Sequence, residues 1–506
     1  MTDAVVSNQN EKVNMGLFWG CFIALIATSF GFIARALTSN EWGAEFGLDE
    51  TQVGEILGAG LWPFAVSIVL FSLIIDRIGY KAAMWFGLVC HILSTVFILM
   101  AHDYQMMYIG TFILALGSGT VEAYINPLVA SMFNKDKTKW LNILHAGWPG
   151  GLVLGGIIII LLASGMYWKY KIAIILIPTL IYALILWNKK FPISERVAAG
   201  VSYKEMLREV GALGAGIIAF MVFSEIGRLS GFGSWFGWGL AVASAIGFYV
   251  YTGSLGRPLY ILLLLIMMIL ATTELGVDSW ITPLMEGEMS QLGINAGWVL
   301  IYTSLIMMIL RFYAGPIVHK LSPLGLLACS AALAGLGLVF LSKATGGAIL
   351  LAATLYGVGK TFFWPTTLGV VSEQFPKGGA LTLNAIAGMG MLAVGTFGSP
   401  ILGNIQDRYV SSSVREYDAK EGTNLMNTYV MEKRSIIGKY DAVDPVKLDA
   451  GSENDKKLVQ GFQAVAKKET LWKVALLPLI MLICYLGLIF YFKSKGGYKP
   501  VEIHDA

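Results

Sequence analysis

Charged side chains are scarce in this sequence. Asp, Glu, Lys and Arg make up 14% of its 506 residues, whereas soluble domains carry about 25%. Hydrophobic residues make up 56%, and the mean hydropathy is +0.67. So little charge cannot cover the surface of a soluble protein. The composition therefore excludes a soluble enzyme of several domains and indicates a membrane protein.

Cysteines and enzyme motifs are also scarce. Cys21, Cys90, Cys329 and Cys484 lie far apart in apolar segments, which is the spacing of neither a disulfide framework nor a metal site. The chain contains no His-Glu-x-x-His, no Gly-x-Ser-x-Gly and no Gly-x-x-x-x-Gly-Lys-Ser/Thr. We therefore expect no enzyme activity, no metal and no cofactor. The net charge of +3 favours no nucleic-acid partner.

Apolar runs long enough to cross a membrane recur along the chain. A hydrocarbon core about 30 Å thick needs roughly 20 helical residues, and by this measure the sequence predicts about fourteen transmembrane helices. No basic region with a cleavage site precedes the first run, so we expect it to stay in the membrane. The predicted spans lie near 15–38, 51–75, 80–101, 104–132, 139–164, 170–188, 209–227, 234–253, 258–284, 292–318, 323–342, 347–372, 379–402 and 470–492.

The spans form two groups of six with additional segments between and within them. We expect an N-terminal bundle over 15–188, a link with two extra helices over 189–257, and a C-terminal bundle over 258–402 and 470–492. Residues 404–469 contain 22 of the 69 charged residues and short helical patterns, which predicts a small folded insert. Lys and Arg of the short loops concentrate on the side of both termini. The termini are therefore expected in the cytoplasm and the insert outside the cytoplasmic membrane.

A few ionisable residues fall inside the predicted spans, where a charge costs about 2.5–3.5 kcal/mol. Glu274 and Asp278 are four residues apart and share a helix face, so their repulsion favours a proton on one of them or a nearby cation. Lys360 is a candidate for that cation. The alternative is an ion-pair cluster that only fixes helix packing. The six residues are Arg35, Glu122, His145, Glu274, Asp278 and Lys360.

Glu122 and Asn126 also share a helix face, beside a backbone carbonyl that Pro127 leaves without its helical donor. Arg35 could neutralise Glu122, or both could bind a solute directly. His145, close to Asn142, is either a packing residue or one that handles protons or substrate.

Three further residues within the spans are candidates for contacting a solute. Asn384 lies on a Gly-rich face that suits either close helix packing or an amide contact with a hydroxyl. Trp280 and Trp364 could stack on a sugar ring, whereas scattered Trp residues normally serve packing or the membrane interface.

A short motif follows the second predicted span. The run Ser72-Leu-Ile-Ile-Asp76-Arg77-Ile-Gly79-Tyr80-Lys81 resembles the Gly-x-x-x-Asp-Arg-x-Gly-Arg-Arg/Lys signature of the major facilitator superfamily, with Ser72 and Tyr80 as departures. A weaker copy with Gly315 and His319-Lys320 follows the tenth span. The resemblance implies an all-α membrane fold of two six-helix bundles related by a pseudo-two-fold axis, and alternating access. It also implies that Asp76 and Arg77 act as a conformational latch.

Three other stretches are similar to the fucose/glucose/galactose symporter group of that superfamily. They are Glu122-Ala-Tyr-Ile-Asn126-Pro127 with the following Leu141-Asn142, Glu274-Leu-Gly-Val-Asp278-Ser279-Trp280, and Phe363-Trp364-Pro365-Thr366. The late helix-1 position departs from that group, because it holds Arg35 where the group has an acidic residue. A late helix-1 Arg is similar instead to the organophosphate and organic-anion branches, in which it grips an anionic substrate.

The sequence thus predicts a monomeric secondary active transporter that moves a small polar solute, above all a sugar, by proton symport. One alternative is symport of a sugar acid or organic anion gripped by Arg35 and Lys360. Another is a solute sensor that transports nothing, and coupling to sodium stays open. The expected substrate-binding residues are Arg35, Glu122, Asn126, Asn142, His145, Trp280, Lys360, Trp364 and Asn384. The expected proton-coupling residues are Glu122, Glu274 and Asp278.

Overall fold

Helices make up most of the fold. The structure is a computed structural model, and it describes residues 14–48, 50–162, 165–291, 293–435 and 438–504. Several helices begin where a side chain satisfies the free N–H groups of the first turn. The Asn14 side chain accepts from Leu17 N at 3.2 Å, and the Asp103 side chain accepts from Met106 N at 2.8 Å.

The N-half, residues 14–188, contains six membrane-crossing segments. Three of the six are interrupted, near Gly60, Ala146 and Ile174, so each of these consists of two helices. The helices are α1 (Met15–Leu37), α2 (Ser39–Glu45), α3 (Glu50–Gly58), α4 (Trp62–Ile78), α5 (Tyr80–Met100), α6 (Tyr104–Met132), α7 (Lys137–His145), α8 (Gly147–Ile157), α9 (Trp168–Ala173) and α10 (Leu176–Leu186).

A link follows with a short helix and the two extra membrane helices. These are α11 (Glu195–Ala198), α12 (Tyr203–Leu229) and α13 (Ser234–Thr252). Helix α12 is kinked at Gly211, whose φ of 62° suits a residue without a Cβ. The next two N–H groups, of Ala212 and Leu213, donate to the carbonyls of Ser254 and Leu255 at 3.0 and 3.1 Å. Backbone hydrogen bonds therefore hold the kink of α12 against the segment that joins α13 to the C-half.

The C-half, residues 258–402 and 470–494, again contains six crossing segments. A π-helical turn at Thr272–Gly276 interrupts the first, and a bend of 70° separates the two helices of the second. The helices are α14 (Pro258–Ala271), α15 (Val277–Gln291), α16 (Gly297–Phe312), α17 (Ala314–Leu321), α18 (Pro323–Lys343), α19 (Ala348–Lys360), α20 (Phe363–Gln374), α21 (Gly379–Ala393) and α26 (Leu476–Ser494).

The predicted number of about fourteen spans is approximate. Within the described residues, 11 helices are long and apolar enough to cross a membrane, and the bent pair α16–α17 brings the number to 12. Helices also occupy the two other predicted positions. There, α13 contains many Gly, Ser, Trp and Tyr residues, and the segment 348–374 is broken between α19 and α20. Neither therefore forms a long, strongly apolar helix.

Residues 404–469 fold into a compact unit with its own hydrophobic core, which we call the cap. It contains most of α22 (Ser399–Glu421), then α23 (Leu425–Tyr429), the strands β1 (Val430–Ser435) and β2 (Gly438–Val443), α24 (Pro445–Asp449) and α25 (Glu453–Val474). The strands pair antiparallel, with Val430 opposite Val443. This hairpin is a departure from the all-helical expectation. Val410, Val414, Val459 and Ala466 are buried between the two long helices.

We name the two ends of the helix bundle by what lies there. The cap side carries residues 404–469, and the tail side carries the start of α1 and residues 495–504. The C-terminal residues dock on the tail side, where Val501 N donates to Glu373 O at 2.8 Å and Gln374 Nε2 donates to Lys499 O at 2.8 Å. We call residues 498–503 the tail strap.

Candidate functional site

Two buried ion pairs lie inside the C-half. Arg311 Nη2 is 3.0 Å from Glu274 Oε1, and both side chains are almost completely buried. Lys360 Nζ contacts Asp278 Oδ1 and donates to Thr303 Oγ1 at 3.3 Å. The two acids of the predicted pair therefore each face a separate cation, and Lys360 neutralises only Asp278. This arrangement is compatible both with packing and with proton exchange.

Arg311 is a central residue that the sequence interpretation missed. It is 1% exposed, at the tail end of α16 just before the bend. A basic residue near the end of a predicted span usually reaches the membrane surface, so the burial of Arg311 does not follow from its position in the sequence. A signal was present, because Arg311 is the only Asp, Glu, Lys, Arg or His residue between Glu288 and His319.

In the N-half, three of the predicted residues form a hydrogen-bonded chain. Asn126 Nδ2 donates to Glu122 Oε2 at 3.3 Å, and Asn126 Oδ1 lies 3.0 Å from His145 Nε2. All three are buried, with Glu122 4% exposed. No cation contacts Glu122 among the described residues. The chain connects α6 to the break between α7 and α8.

Arg35 is not part of the hydrogen-bonded chain formed by Glu122, Asn126 and His145. Its Nε donates to Gly31 O of the same helix at 2.9 Å, and the residue is 4% exposed. Its Nη1 atom is buried without a hydrogen-bond partner. No acidic side chain of the described residues pairs with it, so the suggested Arg35–Glu122 pair does not form. A buried guanidinium without a counter-ion is costly, which makes this position suited to an anion.

Pro127 frees a carbonyl as expected, and the structure supplies its new donor. Pro127 has no N–H, so Ala123 O, four residues earlier, loses its helical partner. Asn384 Nδ2 of α21 donates to this oxygen at 2.9 Å, which joins the C-half to the N-half. Asn384 therefore has a packing contact, while its Oδ1 atom stays without a partner.

The remaining predicted residues are Asn142, Trp364 and Trp280. Asn142 Nδ2 donates to Thr366 Oγ1 at 3.1 Å across the two halves. Trp364 is 5% exposed and its ring lies close to Gly390 of α21. The side chain of Trp280 lies outside the described residues.

Several buried polar atoms in this region have no hydrogen-bond partner in the protein. Native proteins rarely leave such atoms unpaired, so each is a position for water or a ligand. The atoms that belong to predicted site residues are Arg35 Nη1, Asn142 Oδ1, Glu274 Oε2 and Asn384 Oδ1. They offer one donor and three acceptors, which suits a solute with both hydroxyl and carboxylate groups. No group of metal-ligating residues is found among the described residues.

The predicted latch takes a different partner on the tail side. Asp76 accepts from Arg196 at 2.6 and 2.9 Å and from Ser194 Oγ at 2.8 Å. Arg77 instead lies over the ring of Tyr203 at 5.2 Å. Asp76 is thus bound to the link between the halves, not to its neighbour in the motif. Arg196 is distant in sequence and belongs to no motif, so the signature alone could not identify it.

Polar contacts close the two halves against each other on the tail side. Glu373 Oε1 of α20 accepts from the hydroxyl of Thr138 and from its N–H at the start of α7. Lys137 Nζ binds Glu195 at 2.8 Å and Ser372 O at 3.4 Å. We call these contacts the tail gate.

The tail strap is attached to the same gate. Tyr498 donates its hydroxyl proton to Glu373 Oε2 at 2.7 Å. Removal of this hydroxyl from water raises the pKa of Tyr498 well above its ordinary value, and the nearby carboxylate adds to the effect. The hydroxyl therefore stays protonated and keeps donating at every physiological pH.

Comparison with known proteins gives one family and several similar folds. The model of the Major Facilitator Superfamily matches residues 17–400. A hexuronate transporter of Bacillus subtilis (strain 168) is 27% identical over 143 residues, which cover 28% of this chain. The match spans 34% of that relative's length.

Two solved structures of sugar symporters share the fold. The proton:xylose symporter superposes with a TM-score of 0.61 at 14% identity, covering 94% of this chain and 95% of its own. The Escherichia coli fucose:proton symporter superposes with a TM-score of 0.53 at 16% identity, covering 91% of this chain and 98% of its own.

Proposed function

The chain belongs to the Major Facilitator Superfamily, and from that premise we propose that it is a proton-driven symporter of a small sugar acid. It is a multi-pass membrane transporter of small molecules and not an enzyme. The substrate class, the coupling to a proton and the orientation in the membrane are our proposal.

The proposed substrate class rests on one observation, which is that Arg35 has no acidic partner among the described residues. Among the described residues, the other buried cations of the central region each have an acidic partner. Arg311 pairs with Glu274, and Lys360 pairs with Asp278. Arg35 has none, and its Nη1 atom is free to donate. A carboxylate of the solute would provide the missing counter-ion by a charge-assisted hydrogen bond. The name of the hexuronate relative is in keeping with this choice.

Glu122 is the proposed proton site. It is the one central carboxylate of the described residues that no cation contacts, and burial without a counter-ion favours its neutral form. Exposure of the Glu122 carboxyl group to water would let it ionise. Because one proton accompanies one monoanion, transport through Arg35 and Glu122 would move no net charge.

The proposed orientation follows the distribution of basic loops. We place the tail side in the cytoplasm and the cap outside the cytoplasmic membrane. The tail gate is closed in this structure, so access to the site from the cytoplasm is closed. Both halves lie in one chain, and we propose that the transporter works as a monomer.

Uptake into proteoliposomes tests the substrate. With acid outside and alkali inside, we expect accumulation of glucuronate or galacturonate and a loss of about 100-fold in the Arg35→Gln variant, because a buried charged hydrogen bond contributes about 3 kcal/mol. The matched control is Arg415→Gln, which removes an exposed guanidinium of the cap. Wild-type uptake of the acid by Arg35→Gln would contradict the assignment.

The second candidate is symport of a neutral sugar, favoured by the amides of Asn126, Asn142 and Asn384 and by the two sugar symporters of the same fold. Charge movement separates the candidates. A neutral sugar with a proton carries one positive charge, so a potassium-diffusion potential without a pH gradient would drive it. A sugar acid with one proton would respond to the pH gradient alone.

A further inference from the structure

All three kinds of guanidinium nitrogen in Arg311 are engaged. Nε donates to Thr361 O at 2.7 Å, Nη1 donates to His145 O at 2.8 Å and Nη2 donates to Glu274 Oε1 at 3.0 Å. Thr361 and Glu274 belong to the C-half, whereas His145 belongs to the N-half. One buried side chain of α16 therefore bridges the two halves.

The two carbonyls that Arg311 binds are free for the same reason. Pro149 follows His145 by four residues, and Pro365 follows Thr361 by four residues. Neither proline has an N–H to donate, so each carbonyl has no α-helical partner. Arg311 thus satisfies one helix break from each half, and its loss would leave both oxygens without a donor.

Glu274 is the counter-ion that holds Arg311 in this place. It lies in the π-helical turn Thr272–Gly276, a feature frequent at functional sites. Its Oε1 binds Arg311, while its Oε2 is buried without a partner. Other charged or titratable groups act on this pair from neighbouring helices. They are Asp278 of α15, Lys360 and Tyr356 of α19, His145 of α7 and Tyr485 of α26.

We propose that Arg311 is a positioning residue that couples a proton on Glu274 to separation of the two halves. Transfer of a proton from a hydronium ion breaks one of its O–H bonds, forms an O–H bond at Oε2, removes the negative charge of Glu274 and leaves water. The guanidinium then stays buried with two neutral carbonyls and no direct counter-ion. Such a charge is unfavourable away from water, so the bridge to His145 opens and the tail gate loosens.

This coupling rests on the proton symport proposed above, but it concerns a different carboxyl group. Glu122 would carry the transported proton, whereas Glu274 would set the conformation in which the tail gate opens. Asp278 and Lys360 form their pair entirely within the C-half and do not bridge the halves. The coupling therefore belongs to the Arg311–Glu274 pair.

A reporter cysteine in the tail gate tests the proposal. The four native cysteines are replaced by alanine. Ser372, which is 5% exposed, is then replaced by cysteine. Its alkylation rate in liposomes is divided by the rate in unfolded protein at the same pH. We expect the wild type to be protected at high pH and alkylated about tenfold or more faster at low pH, as for a tenfold or larger population shift. Glu274→Gln, which is neutral at every pH, should be alkylated rapidly throughout.

The control is Glu209→Gln in α12, which neutralises another buried carboxylate paired with an arginine, Arg257 at the start of α14. It should keep the wild-type pH profile. Arg311→Lys keeps the charge but cannot reach three acceptors, so it should be alkylated rapidly at all pH values. Chromatographic homogeneity and helical circular dichroism are measured for each variant.

The two proposals fail in different ways. A Glu274→Gln protein that stays protected, or that keeps the wild-type pH profile, would overturn the coupling even if sugar acids accumulate. A normalised alkylation rate that does not change with pH in the wild type would overturn the coupling as well. If the reporter profiles are as expected but no sugar acid accumulates, the coupling stands and the proposed substrate is wrong.

Discussion

Arg35 owes its position to the absence of a side chain at Gly60. This glycine lies at the break between α3 and α4, and a Cβ there would be 2.6 Å from both Nη atoms of Arg35. Real Cβ atoms do not approach other heavy atoms so closely, so any larger residue must displace the guanidinium. The residue that contacts the proposed substrate is thus positioned by one that has no side chain.

Gly60→Ala should therefore weaken substrate binding. We expect KM for the sugar acid to rise about tenfold, equivalent to about 1.4 kcal/mol, with a smaller change in kcat. The control is Gly58→Ala two residues earlier, where a new Cβ would meet nothing within 4 Å. Initial rates of uptake over a range of substrate concentrations give both constants. Equal KM values in the two variants would show that Gly60 does not position Arg35.

At the same scale, sequence identified which residues are unusual but not which residues they contact. Arg35, Glu122, Glu274 and Lys360 stand out because a charge inside a span is costly. Their partners depend on how helices pack, which helical spacing within one segment cannot determine. Of the two alternatives for Arg35, the pair with Glu122 does not form in this structure, and Glu274 has Arg311 as its partner while Lys360 contacts Asp278.

At the scale of elements, prolines determine where the halves can be joined by side chains. Pro127, Pro149 and Pro365 each leave a carbonyl without its helical donor, and a side chain from another helix takes it. Two of the three bonds cross between the halves. All three are packing contacts, and the two that cross also join the N-half to the C-half.

The bond from Asn384 to Ala123 O can be tested by restoring the missing donor. Asn384→Ala leaves the carbonyl unpaired and should lower the apparent melting temperature in detergent, since an unsatisfied buried group costs about 1–3 kcal/mol. In that variant, Pro127→Ala returns an N–H to the helix and should recover part of the loss. A double variant no more stable than Asn384→Ala would refute this explanation.

Prediction of elements succeeded where the signal is local. The carbonyl that Pro127 frees inside α6 could be identified because the missing N–H acts on a residue only four positions away. The kink at Gly211 could not, because its partners Ser254 and Leu255 follow more than 40 residues later. The core of the cap also depends on residues far apart in sequence, because its hairpin packs with α22 and α25, which lie at opposite ends of the insert.

At the scale of the whole molecule, the fold was predictable because composition and loop charge act over the entire chain. The proposed orientation makes a direct prediction. Lys420→Cys, on an exposed side chain of the cap, should react with a membrane-impermeant maleimide in intact cells. Lys495→Cys, exposed on the tail side, should react only after permeabilisation. Both experiments need the native cysteines replaced, and the reverse pattern would invert the topology.

The cap is joined to only one half. Helix α22 continues from the end of α21, and α25 leads into α26 with only Ala475 between them. Together α25 and α26 cover the 42 residues Glu453–Ser494, about 63 Å of helix. Lys468 of α25 also binds Glu288 of α15 at 2.5 Å. The cap is thus attached to the C-half through two helices and an ion pair. An antibody fragment bound to it would serve as a fiducial mark for electron microscopy. A pair of dyes, one on the cap and one on the N-half, would follow each transport cycle by energy transfer.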